Sequence, residues 1–224
     1  NEIIAFAQTQ EQVVDADQLF ELGKEFYSES YYPAALESWL AALAAYRQSA
    51  NPRGEAVTLN RLGRLYIFCG QCGSLAQAFD YLEQSLAVAT ENGFGSLQGS
   101  NLLDMGFVYA RQGNHQEAIS YYRRALERFE AVEDLRGQGG VYTNMGGAYE
   151  SLGQFEQALE YYKQALTLHR DTENWFSEAA TLNNIGFLYD RQGQRDQALD
   201  YYQQALVIRQ EKGYRASEGE TLTS

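Results

Sequence analysis

Val141 to Leu166 reads VYTNMGGAYESLGQFEQALEYYKQAL, and the fold follows from this stretch. Tyr142, Met145, Gly146 and Tyr149 fall at i, i+3, i+4 and i+7, the stripe of one helical face. Phe155, Ala158, Leu159, Tyr162, Ala165 and Leu166 make a second stripe. Gly153 lies between them and suits the left-handed residue that ends a helix. The spacing therefore predicts two amphipathic helices, A and B, meeting at a glycine turn. Forty residues later the same text returns as TLNNIGFLYDRQGQRDQALDYYQQAL, from Thr181 to Leu206. A period of this size marks a repeat array, in which each unit packs mainly on its neighbours.

Working outward, three more copies appear. Leu19, Leu22, Gly23 and Phe26 precede Tyr32, Ala35, Leu36, Trp39, Ala42 and Leu43. Leu59, Leu62, Gly63 and Tyr66 precede Leu75, Ala78, Leu82, Ser85 and Leu86. Leu102, Met105, Gly106 and Tyr109 precede Ala118, Tyr122, Ala125 and Leu126. The helix A glycines Gly23, Gly63, Gly106, Gly146 and Gly186 are spaced 40, 43, 40 and 40 residues apart, the longer step being an insertion around Cys69–Gly73. Ser217–Leu222 aligns with Ser177–Leu182, so a sixth repeat is expected to open there, as in a segment of a longer protein. A glycine on helix A opposite an alanine on helix B lets two backbones meet. Ala56, Gly99, Gly139, Ala179 and Gly219 are small again and are expected to face helix B of the preceding repeat. In the pairs Tyr121-Tyr122, Tyr161-Tyr162 and Tyr201-Tyr202 the second residue is on the stripe. The first is expected to pack along the repeat junctions. Stacking of this kind bends into a superhelix with a concave face lined mainly by helix A.

Composition narrows the function classes. Charged residues are 21% and hydrophobic ones 45%, ordinary for a folded chain. The net charge of −13 argues against nucleic acid and anionic membranes, since neutralising phosphates needs clustered Lys and Arg. It permits basic partners, and it also keeps an array in solution. No apolar run reaches the roughly 18 residues of a membrane helix. Ile3–Ala7 is too short for an intact signal peptide. A soluble, cytoplasmic protein is the favoured expectation, with a secreted or periplasmic one if a signal peptide has been removed.

The motif Leu22-Gly23…Phe26…Ala35…Trp39…Ala42 resembles the tetratricopeptide repeat (TPR), and Ile185-Gly186…Tyr189…Ala198…Tyr202…Ala205 resembles it equally. The resemblance covers about 13–211. The period of 40 departs from the family's usual 34 and is similar to the long-helix variety of kinesin light chains and bacterial multi-repeat proteins. It implies an all-α fold, an α-solenoid (right-handed superhelix) of about five antiparallel helix-turn-helix units. The expected division is 1–12 a tail or lead-in helix, 13–50 the first repeat and 51–92 the second with its insertion. The third spans 93–132, the fourth 133–172, the fifth 173–213, and 214–224 begin a sixth.

The resemblance also implies a non-enzymatic interaction scaffold that holds a peptide or helix of a partner protein in the concave groove. On that reading the groove positions include Asn60, Arg61, Arg64, Asp104, Phe107, Arg111, Asn144, Glu150, Asn183, Asn184, Phe187 and Arg191. Lys24 and Tyr27 occupy the same positions in the first repeat. Asparagine amides donate to and accept from a peptide backbone. Arginine holds carboxylates bidentately, and the two phenylalanines can seat apolar side chains. The carboxylate clamp of chaperone-binding TPR domains is not reproduced, because Phe20 and Asp104 stand at clamp positions. Alternatives are a regulatory or sensor module of a larger bacterial signalling protein, such as one with a caspase-like protease domain, self-association through uncapped ends, and a redox-switched adaptor.

That last alternative rests on Cys69-Gly70-Gln71-Cys72. The pair follows helix A, at the end where the dipole disfavours a thiolate. An enlarged turn with two incidental thiols is the first reading, and a disulfide or candidate redox pair the second. Zinc comes last, because it needs four ligands and the histidines, His115 and His169, lie in other repeats. No metal, cofactor or catalytic set is expected. Gly137-Gln138-Gly139-Gly140 has no preceding strand and no following Lys-Ser/Thr, so it reads as a helix start and not as a phosphate loop.

Overall fold

A computed structural model describes residues 15–70 and 72–221, with the backbone alone for 213–221. The lead-in expected at 1–12 lies outside the described residues. Among the described residues there are ten helices and no strands. They are α1 (Ala16–Ser28), α2 (Tyr32–Gln48), α3 (Pro52–Phe68), α4 (Leu75–Glu91), α5 (Gly95–Arg111), α6 (His115–Ala131), α7 (Leu135–Ser151), α8 (Phe155–Asp171), α9 (Trp175–Arg191) and α10 (Arg195–Thr221). Odd-numbered helices are the A helices of the sequence pattern and even-numbered ones the B helices. The fold class is all-α, of the α-solenoid type.

Local sequence sets the helix ends. Asn51, Asp134 and Asn174 each accept from the backbone N–H three residues on, satisfying an orphan donor of the first turn. Ser74 and Gln77 form a reciprocal capping box at the start of α4. Gly153 has φ +74°, and Gln154 N–H closes onto Tyr149 O at 2.9 Å, which ends α7 as the sequence implies. Ala50, Glu133 and Glu173 take the same left-handed conformation in the B-to-A turns, although none is glycine. The glycine-rich segment 137–140 lies in the first turns of α7, again as read.

Two compact units divide within α5, between Val108 and Tyr109. In the first, α1 pairs with α2 and α3 with α4, while α2 lies against α3. In the second, α7 pairs with α8 and α9 with α10, while α6 packs on α7 and α8 on α9. The hairpin contact is a ring seated on a glycine. Trp39 lies over Gly23, Tyr162 over Gly146 and Tyr202 over Gly186; a Cβ at Gly146 would sit 2.5 Å from the Tyr162 ring. Ala35, Ala42, Ala158 and Ala165 complete each hairpin and are fully buried.

Several expectations are corrected in detail. Tyr121, Tyr161 and Tyr201 have their ring contacts inside the hairpin, a contact the junction expectation does not include. They stack within their own hairpins on Tyr109, Tyr149 and Tyr189, at 5.2, 5.1 and 5.5 Å between centroids. Ala56 and Gly139 face helix B of their own repeat: Ser85 Oγ donates to Ala56 O at 2.7 Å, and His169 lies against Gly139. The small residues that accept the preceding helix B are two positions earlier, where Gly54 meets Tyr46 and Gly137 meets Phe129. The shift is physical, because an aromatic at the end of helix B reaches the first turn of the next helix A and not its second. Leu199 and Leu206, on the stripe of α10, are 63% and 53% exposed. Their counterparts on α8 are better covered, Leu159 half-buried and Leu166 buried, and α9 packs on α8, whereas no described helix follows α10 to cover it. The backbone runs on as helix from 213 to 221, where the sequence pattern would open a new repeat.

Candidate ligand-binding face

In the first unit the off-stripe residues of α1, α3 and α5 form one polar cluster. Asn60 is 6% exposed, so it is not an open groove residue. Its amide donates to Asn101 Oδ1 and Asp104 Oδ2, both at 3.0 Å. Asn101 in turn donates to Ser85 Oγ at 2.8 Å. This chain of bonds is complete, as a buried polar network must be. Burial pushes the Asp104 carboxyl above its usual range, opposed by Arg64, the Asn60 amide and Arg61. Arg61 and Arg64 are half-buried and form no ion pair or hydrogen bond with the described residues. With Lys24, Tyr27 and Trp39 they line a cavity of about 200 Å³. Phe107 lies beside Phe68, the ring centroids 5.7 Å apart. Arg111, at the end of α5 and in the second unit, is exposed.

In the second unit three of the named residues contribute to the fold. Asn144 Nδ2 donates to Gly140 O at 2.9 Å, within its own helix. Glu150 accepts from Tyr162 OH at 3.0 Å and pairs with Arg191 Nη1 at 3.5 Å. The Arg191 guanidinium also lies 5.1 Å from the Phe155 centroid. Asn183 and Asn184 differ: they are half-buried, and neither amide is hydrogen-bonded among the described residues. Phe187, one turn along the same helix, is 50% exposed. These three side chains are open groups in the middle of α9, while Trp175 and Phe176 are exposed in its first turn.

Cys69 and Cys72 are joined by a disulfide, with Cα atoms 5.4 Å apart, where two free thiols were the first expectation. Cys69 caps the C-terminus of α3, so the bridge closes the enlarged turn of the second repeat. Among the described residues no cluster of His, Cys, Asp and Glu is placed to hold a metal ion, and no helix is long and apolar enough to cross a membrane.

A tetratricopeptide repeat family model matches residues 67–131 and 137–211 of the sequence. The chain belongs to the tetratricopeptide repeat family. Among solved structures, this TPR chain is similar to BtubC (BKLC) from P. vanneervenii at 19% identity and a TM-score of 0.72, covering 95% of this chain and 86% of that one. It is similar to a Rap protein complexed with Competence and Sporulation Factor at 16% identity and a TM-score of 0.79, covering 94% of this chain. It spans 58% of that Rap chain's length. MamA is similar at 21% identity, with a TM-score of 0.55 and coverage of 86% of this chain and 97% of that one. At these identities the likeness is one of fold. No curated protein sequence matches the chain.

One buried group of the TPR chain lay outside the sequence reading. His169 ends α8 and is 2% exposed. Its Nε2 lies 3.1 Å from Thr143 Oγ1, which is also 3.0 Å from Gly139 O. If the hydroxyl donates to that carbonyl, it accepts from Nε2–H, and Nδ1 is left as a buried nitrogen without a partner. Burial lowers the His169 pKa from 6.5, partly opposed by Glu178. Between the depressed native pKa and 6.5 the unfolded chain holds a proton that the native one does not, so stability rises with pH there. The contribution is complete above 6.5 and is lost as pH falls through the native pKa. The melting temperature is therefore expected to drop between pH 7.5 and 5.5, and His169→Gln should flatten that slope. A histidine in a repeat otherwise read for its stripe gave no sequence signal, because its burial depends on the glycine at 139.

Proposed function

We propose that this TPR chain is a non-enzymatic interaction module whose A helices hold a peptide or helix of a partner protein. The observation that carries the reading is on α9. Its stripe residues Leu182, Ile185 and Gly186 are consumed by packing, while Asn183, Asn184 and Phe187 present two unbonded amides and a half-exposed ring on the remaining face. Amides of this kind match the alternating donors and acceptors of a peptide backbone, and the ring offers an apolar seat. A chain of the same fold that is complexed with a factor, the Rap protein, supports a ligand-holding role for the architecture.

The test uses an array of 12-residue synthetic peptides and the purified chain. Capture by the wild type is expected to fall about thirtyfold in Asn183→Ala/Asn184→Ala, as loss of two hydrogen bonds at roughly 1 kcal/mol each implies. Melting should be unchanged, because neither amide is bonded in the fold. Equal capture by both proteins would contradict the reading.

A further inference from the structure

Arg61 and Arg64 stand apart from the other arginines. Three exposed arginines are paired with carboxylates: Arg47 with Glu55 at 2.7 Å, Arg170 with Glu178 at 2.8 Å, Arg191 with Glu150 at 3.5 Å. Arg61 and Arg64 are the half-buried arginines among the described residues, and neither has a carboxylate within salt-bridge distance. They lie one turn apart on α3 and share a cavity with Lys24 and Tyr27 of α1, floored by Trp39 of α2. In a chain of net charge −13, three cations converge on one cavity.

We propose that this cavity is an acid-specific subsite that takes one side-chain carboxylate of the bound polypeptide. The inference rests on the interaction reading above and adds the chemistry of one contact. Lys24 is held by Glu21 at 2.6 Å, and Asp104, anchored by Asn60, faces the two arginines electrostatically. Burial pushes the Asp104 carboxyl up, so the three cations keep an excess of positive charge that an incoming carboxylate reduces. Partial burial makes each guanidinium contact stronger than at the surface, and its forked donors fit a carboxylate. Burial also raises the Tyr27 pKa, so its hydroxyl keeps its proton at neutral pH and remains a donor. The arginines repel each other across the cavity, and burial followed by Arg64 lowers the Arg61 pKa. An anion relieves that repulsion.

The experiment prints C-terminally amidated 12-residue peptides in three versions, with Glu, Gln or phosphoserine at one position. The full chain, Arg61→Gln/Arg64→Gln and Lys24→Gln are compared at low and high salt. The wild type is expected to capture Glu versions about tenfold more than Gln versions, the size of a charge-assisted pair. The preference should shrink with salt and vanish in the double variant, which captures Glu and Gln versions equally. Equal capture of Glu and Gln versions, a preference that survives in the double variant, or a preference for phosphoserine overturns the subsite but leaves the interaction reading standing. No capture of any peptide by the wild type removes both. If the double variant does not melt cooperatively, Lys24→Gln carries the test at an exposed side chain, and an undiminished Glu preference there overturns the proposal.

Discussion

Trp39→Ala is expected to destabilise the first unit by about 3–5 kcal/mol, the range for deleting a large buried aromatic. The ring is 1% exposed and sits on Gly23, where it fills the space left by the missing side chain. Its Nε1–H donates to Phe20 O at 3.1 Å, and Tyr27 lies 5.5 Å away between centroids. The substitution removes the packing, empties the seat on Gly23 and leaves the Tyr27 ring without its support. The other tryptophan, Trp175, belongs to the second unit and reports on it by fluorescence. Urea unfolding followed by circular dichroism should show an early transition for the first unit while Trp175 emission keeps its wild-type midpoint. A loss below about 1 kcal/mol would mean that the seat collapses or refills, against the close packing expected of protein interiors.

Neighbouring glycines supply the second prediction, and its force lies in opposite signs. At Gly146 a Cβ would lie 2.5 Å from Tyr162 Cδ1 and Cε1. Tyr162 is buried and tethered through its hydroxyl to Glu150, so the ring has little room to yield. Gly146→Ala gains about 1 kcal/mol of helix propensity but loses about 1–3 kcal/mol to overpacking. Gly146→Leu, with more atoms in the same space, is expected to cost about 3 kcal/mol or more. At Gly147 the nearest atom to a Cβ is Tyr162 Oη at 3.6 Å, ordinary contact. Gly147→Ala should therefore keep the propensity gain and stabilise by up to about 1 kcal/mol. Thermal melts of the two alanine variants decide it: one below the wild type and one at or above it. Adding Tyr162→Leu should rescue part of the Gly146→Ala loss, as coupling between touching residues requires.

The pair also shows what the sequence makes legible. Gly146 recurs at a fixed phase in every copy, so the period alone identifies it as a packing position. The same period marks Ala158, Tyr162 and Gly153, and with them the hairpins and their turns. Which helix each small residue meets is less legible. Gly137 and Gly139 are both small and near the linker, and only the reach of Phe129 and His169 separates the junction contact from the hairpin contact. The candidate face is legible by phase and not by chemistry. Asn60, Asn144 and Asn184 are equally asparagine in sequence. One is buried against Asn101 and Asp104, one is bonded to its own helix, and one is unbonded. The first of those outcomes depends on partners one repeat away, which no single repeat encodes. The Arg61–Arg64 cavity is of the same kind, because Lys24 and Tyr27 of the neighbouring repeat complete it.

The central claim is a division of labour: stripe residues build the array, and the open residues of the A helices hold a partner. Backbone amide exchange of the chain, with and without the tightest peptide captured on the array, tests this most directly. The account expects new protection along α3 or α9, around Arg61–Arg64 or Asn183–Phe187, with the B helices unchanged. Protection confined to α4, α6, α8 or the turns would contradict it.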